Sequence, residues 1–191
     1  KLSHQQTSDA LGLNLSQAAG TMQFLIKGTW TKRLSVGLTA HNAIYALTYA
    51  RQGFRGSVDP FDGTHGLYSC FAGLDEPDLD LAVATLGQQF EVVNTAIKPY
   101  PCCRCTQSTI DAILMLRETH QLVPNNVKAV EVVLSPESYG VVGNPPDVKR
   151  QASVLGEGQF SVYFGVAATL VDGDYSWQSY RLLDDPTTRE L

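Results

Sequence analysis

Charged residues are scarce in this chain of 191 residues, at 17%, and long apolar runs are missing. A membrane-spanning helix needs about 18 consecutive apolar residues, whereas the longest apolar stretch, residues 162–171, is shorter and contains Gly165. A secretory leader, with its positive start, apolar stretch and small-residue cleavage site, is not seen either. With 43% hydrophobic residues and 9 prolines, the chain can bury a core and does not belong to the disordered class. We therefore expect a folded protein away from membranes, with one large or two small domains.

Acidic residues are absent between Asp9 and Asp59, although the net charge of the chain is −5. Up to Val58, six basic residues stand against one acidic residue, and the remainder has eight basic against eighteen acidic residues. Nucleic-acid binding needs a continuous basic face, so this balance argues against DNA or RNA as a partner. A small anionic ligand stays compatible with it, because a few cations can converge in a local cleft.

Cysteine is rare, and three of the four cysteines, Cys102, Cys103 and Cys105, fall within four residues. Zinc sites combine a spaced cysteine pair with a second Cys or His cluster, which this sequence lacks. Adjacent cysteines rarely bridge each other, which leaves Cys70 as the distant partner for any disulfide. We therefore predict reduced thiols, a cytoplasmic location and no metal site. The patterns of a serine nucleophile elbow, a dinucleotide-binding loop and a P-loop are absent as well.

The first part of the chain has the periodicity of helices. Apolar residues recur at spacings of three and four, and glycines or an Asp-Pro pair mark the ends. This pattern predicts helices over residues 8–26, 34–50, 60–71 and 75–87. We therefore expect residues 1–88 to form part of an all-helical domain.

The second part, residues 89–191, contains both strand-like and helix-like sequence patterns. β-Branched residues predict strands over 90–97 and 127–134. Apolar periodicity predicts helices over 106–120 and 160–170, and prolines and glycines without a period predict a loop over 136–158. The fold class predicted for the whole chain is therefore α+β.

The first candidate for chemistry is the segment 28–34, in which a loop enters a helix and carries Lys32 and Arg33. The positive end of a helix dipole and a neighbouring arginine favour a neutral lysine that can act as a base. The same charges attract the carboxylates of a ligand. The alternative is that Lys32 is an ordinary solvated lysine.

Two further candidates lie in the mixed part. In residues 98–107 the chain turns at two prolines and enters a helix, so Lys98 and Arg104 can join backbone N–H groups in holding a carboxylate. The alternative is a rigid turn whose cysteines pack as small hydrophobes. In residues 159–164, Tyr163 at the start of an apolar helix can donate a proton to a ligand, although aromatic residues at such positions are commonly part of the core.

These segments occur in an order that resembles the MmgE/PrpD family, which includes 2-methylcitrate dehydratase, cis-aconitate decarboxylase and iminodisuccinate epimerase. The residues that carry the resemblance are 31–42, 51–56, 98–104 with 110–112, and 159–161 ahead of 172–173. The likeness extends over nearly the whole chain but covers under half of a family member. Because both ends of the chain are abrupt, we expect it to be a piece of a longer protein, inactive alone.

The resemblance implies a large helical domain joined to a smaller α/β lid over residues 89–191, a homodimer, and no metal or organic cofactor. It also implies removal of a proton next to a carboxylate of a small di- or tricarboxylate substrate. Lys32 matches the family's active-site lysine, as substrate anchor or proton-transfer group. Lys98 and Arg104 match the basic positions of the lid motif, and we expect them to meet Lys32 across a cleft.

Two positions depart from the family pattern. Gln107 stands where the family often has histidine, and Phe164 stands at the position of the family's tyrosine, with Tyr163 one place earlier. These departures keep a second hypothesis open, a non-catalytic carboxylate-binding or scaffold protein that retains the fold.

Overall fold

The computed structural model describes residues 1–74 and 76–191, and its regular elements are helices. The described residues form the α-helices α1 His4–Leu15, α2 Thr31–Arg51, α3 Leu67–Ala72, α4 Leu79–Val83, α5 Arg104–His120, α6 Pro136–Val142, α7 Pro146–Arg150, α8 Leu155–Gly158, α9 Val162–Asp172 and α10 Pro186–Glu190. They also form the 3₁₀ helices Gln23–Leu25, Glu91–Asn94, Pro124–Asn126 and Trp177–Asp184. No helix in this part of the chain combines the length and the apolar character that crossing a membrane requires.

The chain divides into two compact units. The first unit consists of residues 1–21 and 32–95, and the second consists of residues 22–31 and 96–191. The predicted boundary at residue 88 stays a prediction.

In the first unit, α1 holds the loop that follows α2. A capping box begins α1, because Ser3 and Gln6 each accept the backbone N–H of the other through their side chains. The buried carboxylate of Asp9 accepts the N–H of Gly56 at 3.1 Å and lies 3.3 Å from Nε of Arg55. The backbones approach so closely that a Cβ on Gly56 would lie 2.1 Å from the carbonyl oxygen of Asp9. Glycine is therefore required at this contact.

The long helix α2 confirms the helix predicted over 34–50. Gly53 follows it with a φ of +88°, in the left-handed region that favours glycine at helix ends. Ala46 and Ala50 are buried, whereas its large apolar side chains are exposed: Leu34, Val36, Leu38, Ile44, Tyr45, Leu47 and Tyr49. In the described residues α2 thus contributes little to a buried core.

The core of the second unit is built around α9. Apart from Tyr163, every residue from 162 to 170 is buried, which confirms the apolar helix predicted there. The predicted helix over 106–120 is also confirmed, as α5, and it packs along α9. This contact is close, since a Cβ on Gly165 would lie 2.7 Å from Cγ2 of Thr106. Arg117 of α5 also donates to the carbonyl oxygen of Leu170, which ties the two helices together.

The predicted strands, and with them the α+β class and the α/β lid over 89–191, are wrong: the described residues contain no strand. In 90–97, the 3₁₀ helix Glu91–Asn94 forms instead, and the Glu91 carboxylate accepts from the side chains of Gln89 and Asn94. Residues 127–134 are irregular, and Val133 among them is 89% exposed. β-Branched residues favour an extended backbone, but a sheet forms only where a second segment completes the ladder.

The loop predicted over 136–158 is wrong as well, because α6, α7 and α8 lie there. Two of its prolines begin helices, since Pro136 and Pro146 lie in the first turns of α6 and α7. Backbone N–H groups of a first turn have no acceptor within the helix, so a proline there costs no hydrogen bond. Ser135 caps α6 by accepting the N–H of Ser138 at 3.2 Å.

Three predicted helices in the first part of the chain have other bounds. The helix predicted over 8–26 ends at Leu15, and the helix predicted over 60–71 begins at Leu67. The helix predicted over 75–87 begins on Asp75, which lies outside the described residues. Its described part is α4, which Asp78 caps by accepting the N–H of Leu81.

Candidate functional site

The predicted site residues belong to two units. Lys32 and Arg33 are exposed on the first turn of α2 in the first unit. Lys98, Arg104 and Tyr163 belong to the second unit. The convergence of Lys32 with Lys98 and Arg104 therefore stays a prediction.

Lys98 and Arg104 lie on the two sides of the turn that leads into α5. Nζ of Lys98 donates to the carbonyl oxygen of Cys102 at 3.1 Å, which closes the turn and keeps the ammonium near the helix start. Arg104 is the exposed first residue of this 17-residue helix. The helix start presents backbone N–H groups and the positive end of the dipole. Two cations and a helix start on one turn favour a carboxylate ligand.

The same turn is fixed by residues that follow much later in the chain. The carbonyl oxygen of Pro101 accepts from Nε2 of Gln159 at 3.0 Å and from the hydroxyl of Tyr180 at 2.9 Å. The N–H of Cys103 donates to the carbonyl oxygen of Gln159 at 2.9 Å. The second and third predicted segments are therefore in direct contact.

Tyr100 was not predicted as a site residue, although its side chain also holds the turn. Its hydroxyl donates to Oδ1 of Asp111 on α5 at 2.6 Å. This hydrogen bond, with burial and the charge of the carboxylate, raises the pKa of Tyr100 to about 12. The Tyr100 hydroxyl therefore keeps its proton at neutral pH and anchors the turn.

The cysteines of the turn differ in environment. Cys102 is 4% exposed and packs in the core with Ile110 and Phe164. Burial, with a smaller contribution from Cys103, raises the pKa of the Cys102 thiol to about 12. Cys102 therefore packs as a small hydrophobe. No set of His, Cys, Asp and Glu side chains suited to a metal ion occurs in residues 1–74 or 76–191.

Tyr163, the second residue of α9, lines a cavity of about 370 Å³ within the second unit. Its hydroxyl donates to the carbonyl oxygen of Gly143 at 3.3 Å, and the guanidinium carbon of Arg150 lies 4.3 Å from its ring centre. The charged residues that line the cavity are Glu131, Arg150, Arg189 and Glu190. The cavity has the volume of a small-molecule site, with charges of both signs on its wall.

Phe164, the next residue, belongs to the aromatic core and also touches the wall of the same cavity. It is 6% exposed, stacks on Tyr180 with ring centres 5.6 Å apart, and meets Tyr175 edge-on at 6.3 Å. Consecutive helical residues point about 100° apart. The Phe164 ring is therefore held in the aromatic core at the edge of the cavity, whereas Tyr163 lines the cavity without belonging to that core.

Lys149, a lysine of α7 that is 5% exposed, was not predicted as a site residue. Its Nζ donates to the carbonyl oxygen of Leu25 at 3.0 Å, across 124 residues of sequence. Burial lowers the pKa of this lysine, and Cys103 and Glu157 partly offset the effect. No local pattern could have revealed a contact over this separation.

Comparisons with known proteins agree with the resemblance. The family model of the MmgE/PrpD N-terminal domain matches residues 1–80, and that of the MmgE/PrpD C-terminal domain matches residues 100–191. A curated relative, the cis-aconitate decarboxylase-like protein oryM of Aspergillus oryzae, is 27% identical over 184 residues. The match covers 90% of this chain and 37% of the relative, so the chain spans well under half of that protein's length.

Proposed function

The chain belongs to the MmgE/PrpD family, and we propose that the whole protein is a lyase or isomerase of a small di- or tricarboxylate. The proposed common step is removal of a proton next to a carboxylate, or its reverse. A dehydratase of the 2-methylcitrate type, an iminodisuccinate epimerase and a cis-aconitate decarboxylase all fit this class.

The observation that carries the proposal is the cationic turn at the start of α5. Proton removal next to a carboxylate builds negative charge, which fixed cations stabilise. Lys98 and Arg104 supply two such cations, and the contacts of Cys102 and Pro101 hold the turn in place. Because this support is already formed, little reorganisation is needed when the charge develops.

The other predicted residues take the remaining roles. Lys32, with Arg33 beside it, anchors a second carboxylate or transfers the proton. Tyr163 donates a proton from the wall of its cavity. Each of these groups needs to reach the substrate within hydrogen-bonding distance in the complete protein.

Deuterium exchange tests this proposal directly. The full-length protein is incubated in D₂O with citrate-like and aspartate-like acids, and loss of the α-proton is followed by NMR. We expect exchange with at least one acid, and a decrease of about 100-fold or more in Lys32→Ala. Lys128→Ala, at an exposed lysine of the second unit, is the matched control and is expected to exchange at the parental rate.

A non-catalytic carboxylate-binding protein is the second candidate, and two positions favour it. Phe164 carries no hydroxyl and is buried in the aromatic core. Gln107 donates to the carbonyl oxygen of Tyr100 at 3.3 Å, which is a structural contact. Carboxylate binding without exchange of any α-proton would establish this candidate and refute the enzyme.

A further inference from the structure

The segment 22–31 directly precedes Lys32 in the chain. It is contacted by residues of α7 and α8 and by Phe160, which lie more than 100 residues later in the sequence. Nζ of Lys149 donates to the carbonyl oxygen of Leu25 at 3.0 Å. The rings of Phe24 and Phe160 lie 6.2 Å apart. Both contacts lie within the second unit, to which residues 22–31 belong.

A third contact joins Gly28 to α8. The N–H of Gly28 donates to the carboxylate of Glu157, which also accepts from the N–H and hydroxyl of Ser153 at 3.0 and 3.2 Å. Partial burial works against the charged form of Glu157, and these hydrogen bonds outweigh it and hold its pKa below the ordinary value. A Cβ on Gly28 would lie 2.4 Å from the backbone nitrogen of Glu157, so the segment lies directly on α8.

Lys149 differs from an ordinary lysine because its side chain is almost fully removed from water. Burial of an ammonium is unfavourable unless polar groups replace the lost water. The carbonyl oxygen of Leu25 is such a group, and the charge of Glu157 also favours the ammonium. The segment 22–31 therefore supplies, through the carbonyl oxygen of Leu25, one of the polar groups that replace water around the Lys149 ammonium.

We propose that Lys149 is a positioning residue, which fixes the segment 22–31 through Leu25, up to Thr31 at the start of α2 and directly before Lys32 in the chain. Glu157 supports the same segment through Gly28. The consequence for catalysis rests on the role of Lys32 in the proposed function, whereas the anchoring of the segment does not.

Hydrogen exchange of the full-length protein tests the anchoring. In Lys149→Met, which keeps the length of the side chain and removes the ammonium, the N–H groups of Leu25, Ile26 and Thr29 are expected to exchange at least about tenfold faster. The N–H groups of α9 are expected to change less than about twofold. Lys128→Met is the matched control and is expected to leave all of these rates unchanged.

Unchanged protection of these N–H groups in folded Lys149→Met would overturn the proposal. If that variant does not fold, Glu157→Gln decides the matter. It weakens the acceptor of the Gly28 N–H, and we expect faster exchange across Gly28 and Thr29. Parental rates in Glu157→Gln would then overturn the proposal.

Activity measurements separate positioning from a purely structural role. We expect kcat/KM for α-proton exchange to fall at least about tenfold in Lys149→Met and to recover to within about threefold in Lys149→Arg, which restores a cation. A loosened segment with unchanged kcat/KM would overturn the positioning role. If the parental protein catalyses no α-proton exchange in any of the acids, the proposed function is wrong. Exchange of the backbone N–H groups still decides whether Lys149 anchors the segment.

Discussion

The buried hydroxyl of Thr106 predicts that its removal stabilises the second unit, whereas most substitutions of buried residues lower the free energy of unfolding. Thr106 is 1% exposed, and its Oγ1 has no hydrogen-bond partner among the described residues. Its Cγ2 packs in the close contact between α5 and Gly165 of α9. Thr106→Val keeps this methyl group and replaces the hydroxyl by a second methyl group of similar size.

The magnitude follows from the hydroxyl. A buried polar group without a partner costs about 1–3 kcal/mol relative to one in water, and valine and threonine differ little in helix propensity. We therefore expect Thr106→Val to raise the free energy of unfolding by about 1–2 kcal/mol. Thr169→Val is the matched control, because Thr169 is 0% exposed and its hydroxyl donates to the carbonyl oxygen of Gly165 at 2.6 Å. Losing that hydrogen bond is expected to lower the free energy of unfolding by about 0.5–1.5 kcal/mol.

Equilibrium unfolding in urea measures both variants. Loss of the helical circular dichroism signal follows the unfolding, since α5, α9 and the other helices of the second unit are lost with it. The urea midpoints are expected to move in opposite directions at an unchanged m-value. A midpoint for Thr106→Val that falls, as it does for Thr169→Val, would refute the reasoning, because it would show that the Thr106 hydroxyl makes a stabilising hydrogen bond.

Two further predictions concern Cys102 and Asp9. Since burial raises the pKa of Cys102 to about 12 and the thiolate is the reactive form, iodoacetamide at pH 8 is expected to alkylate it about 1000-fold more slowly than an ordinary thiol. Exposed Cys70 is the internal reference for mass spectrometry, and comparable rates at the two cysteines would contradict the prediction. Asp9→Ala removes the acceptor of the Gly56 N–H and is expected to destabilise the first unit by about 1–3 kcal/mol in thermal unfolding. Exposed Asp62→Ala is the control, and equal effects of the two substitutions would argue against the anchoring of this loop.

The sequence predicted those helices whose signals are local. For α2, α5 and α9 the apolar period extends over several turns, and glycine ends α2 and α9 with a positive φ at Gly53 and Gly173. The segment 127–134 carries an equally clear composition, but whether such a segment joins a sheet depends on a partner elsewhere in the chain. Composition alone therefore could not decide between a strand and an irregular segment.

The candidate site shows the same division between local and distant information. The turn before α5, with Lys98 and Arg104 beside a helix start, follows from neighbouring residues and could be predicted. Its support could not, because Gln159 and Tyr180 bind Pro101 from 58 and 79 residues away. Sequence patterns thus locate the charges, whereas the groups that fix them become visible only in the folded chain.

The pair Tyr163 and Phe164 limits which residue of α9 can act as a proton donor. Phe164 is stacked on Tyr180 in the core and carries no hydroxyl, so a phenol donor on this turn of α9 has to be Tyr163. The Tyr163 hydroxyl already donates to the carbonyl oxygen of Gly143, but at 3.3 Å this bond is longer than an O–H···O hydrogen bond normally is. Exchanging so weak an acceptor for a ligand in the adjoining cavity costs little. Tyr163 therefore brings a hydroxyl to the wall of the cavity, one residue before the position that the resemblance gives to the family's tyrosine, and its role as a proton donor stays a prediction.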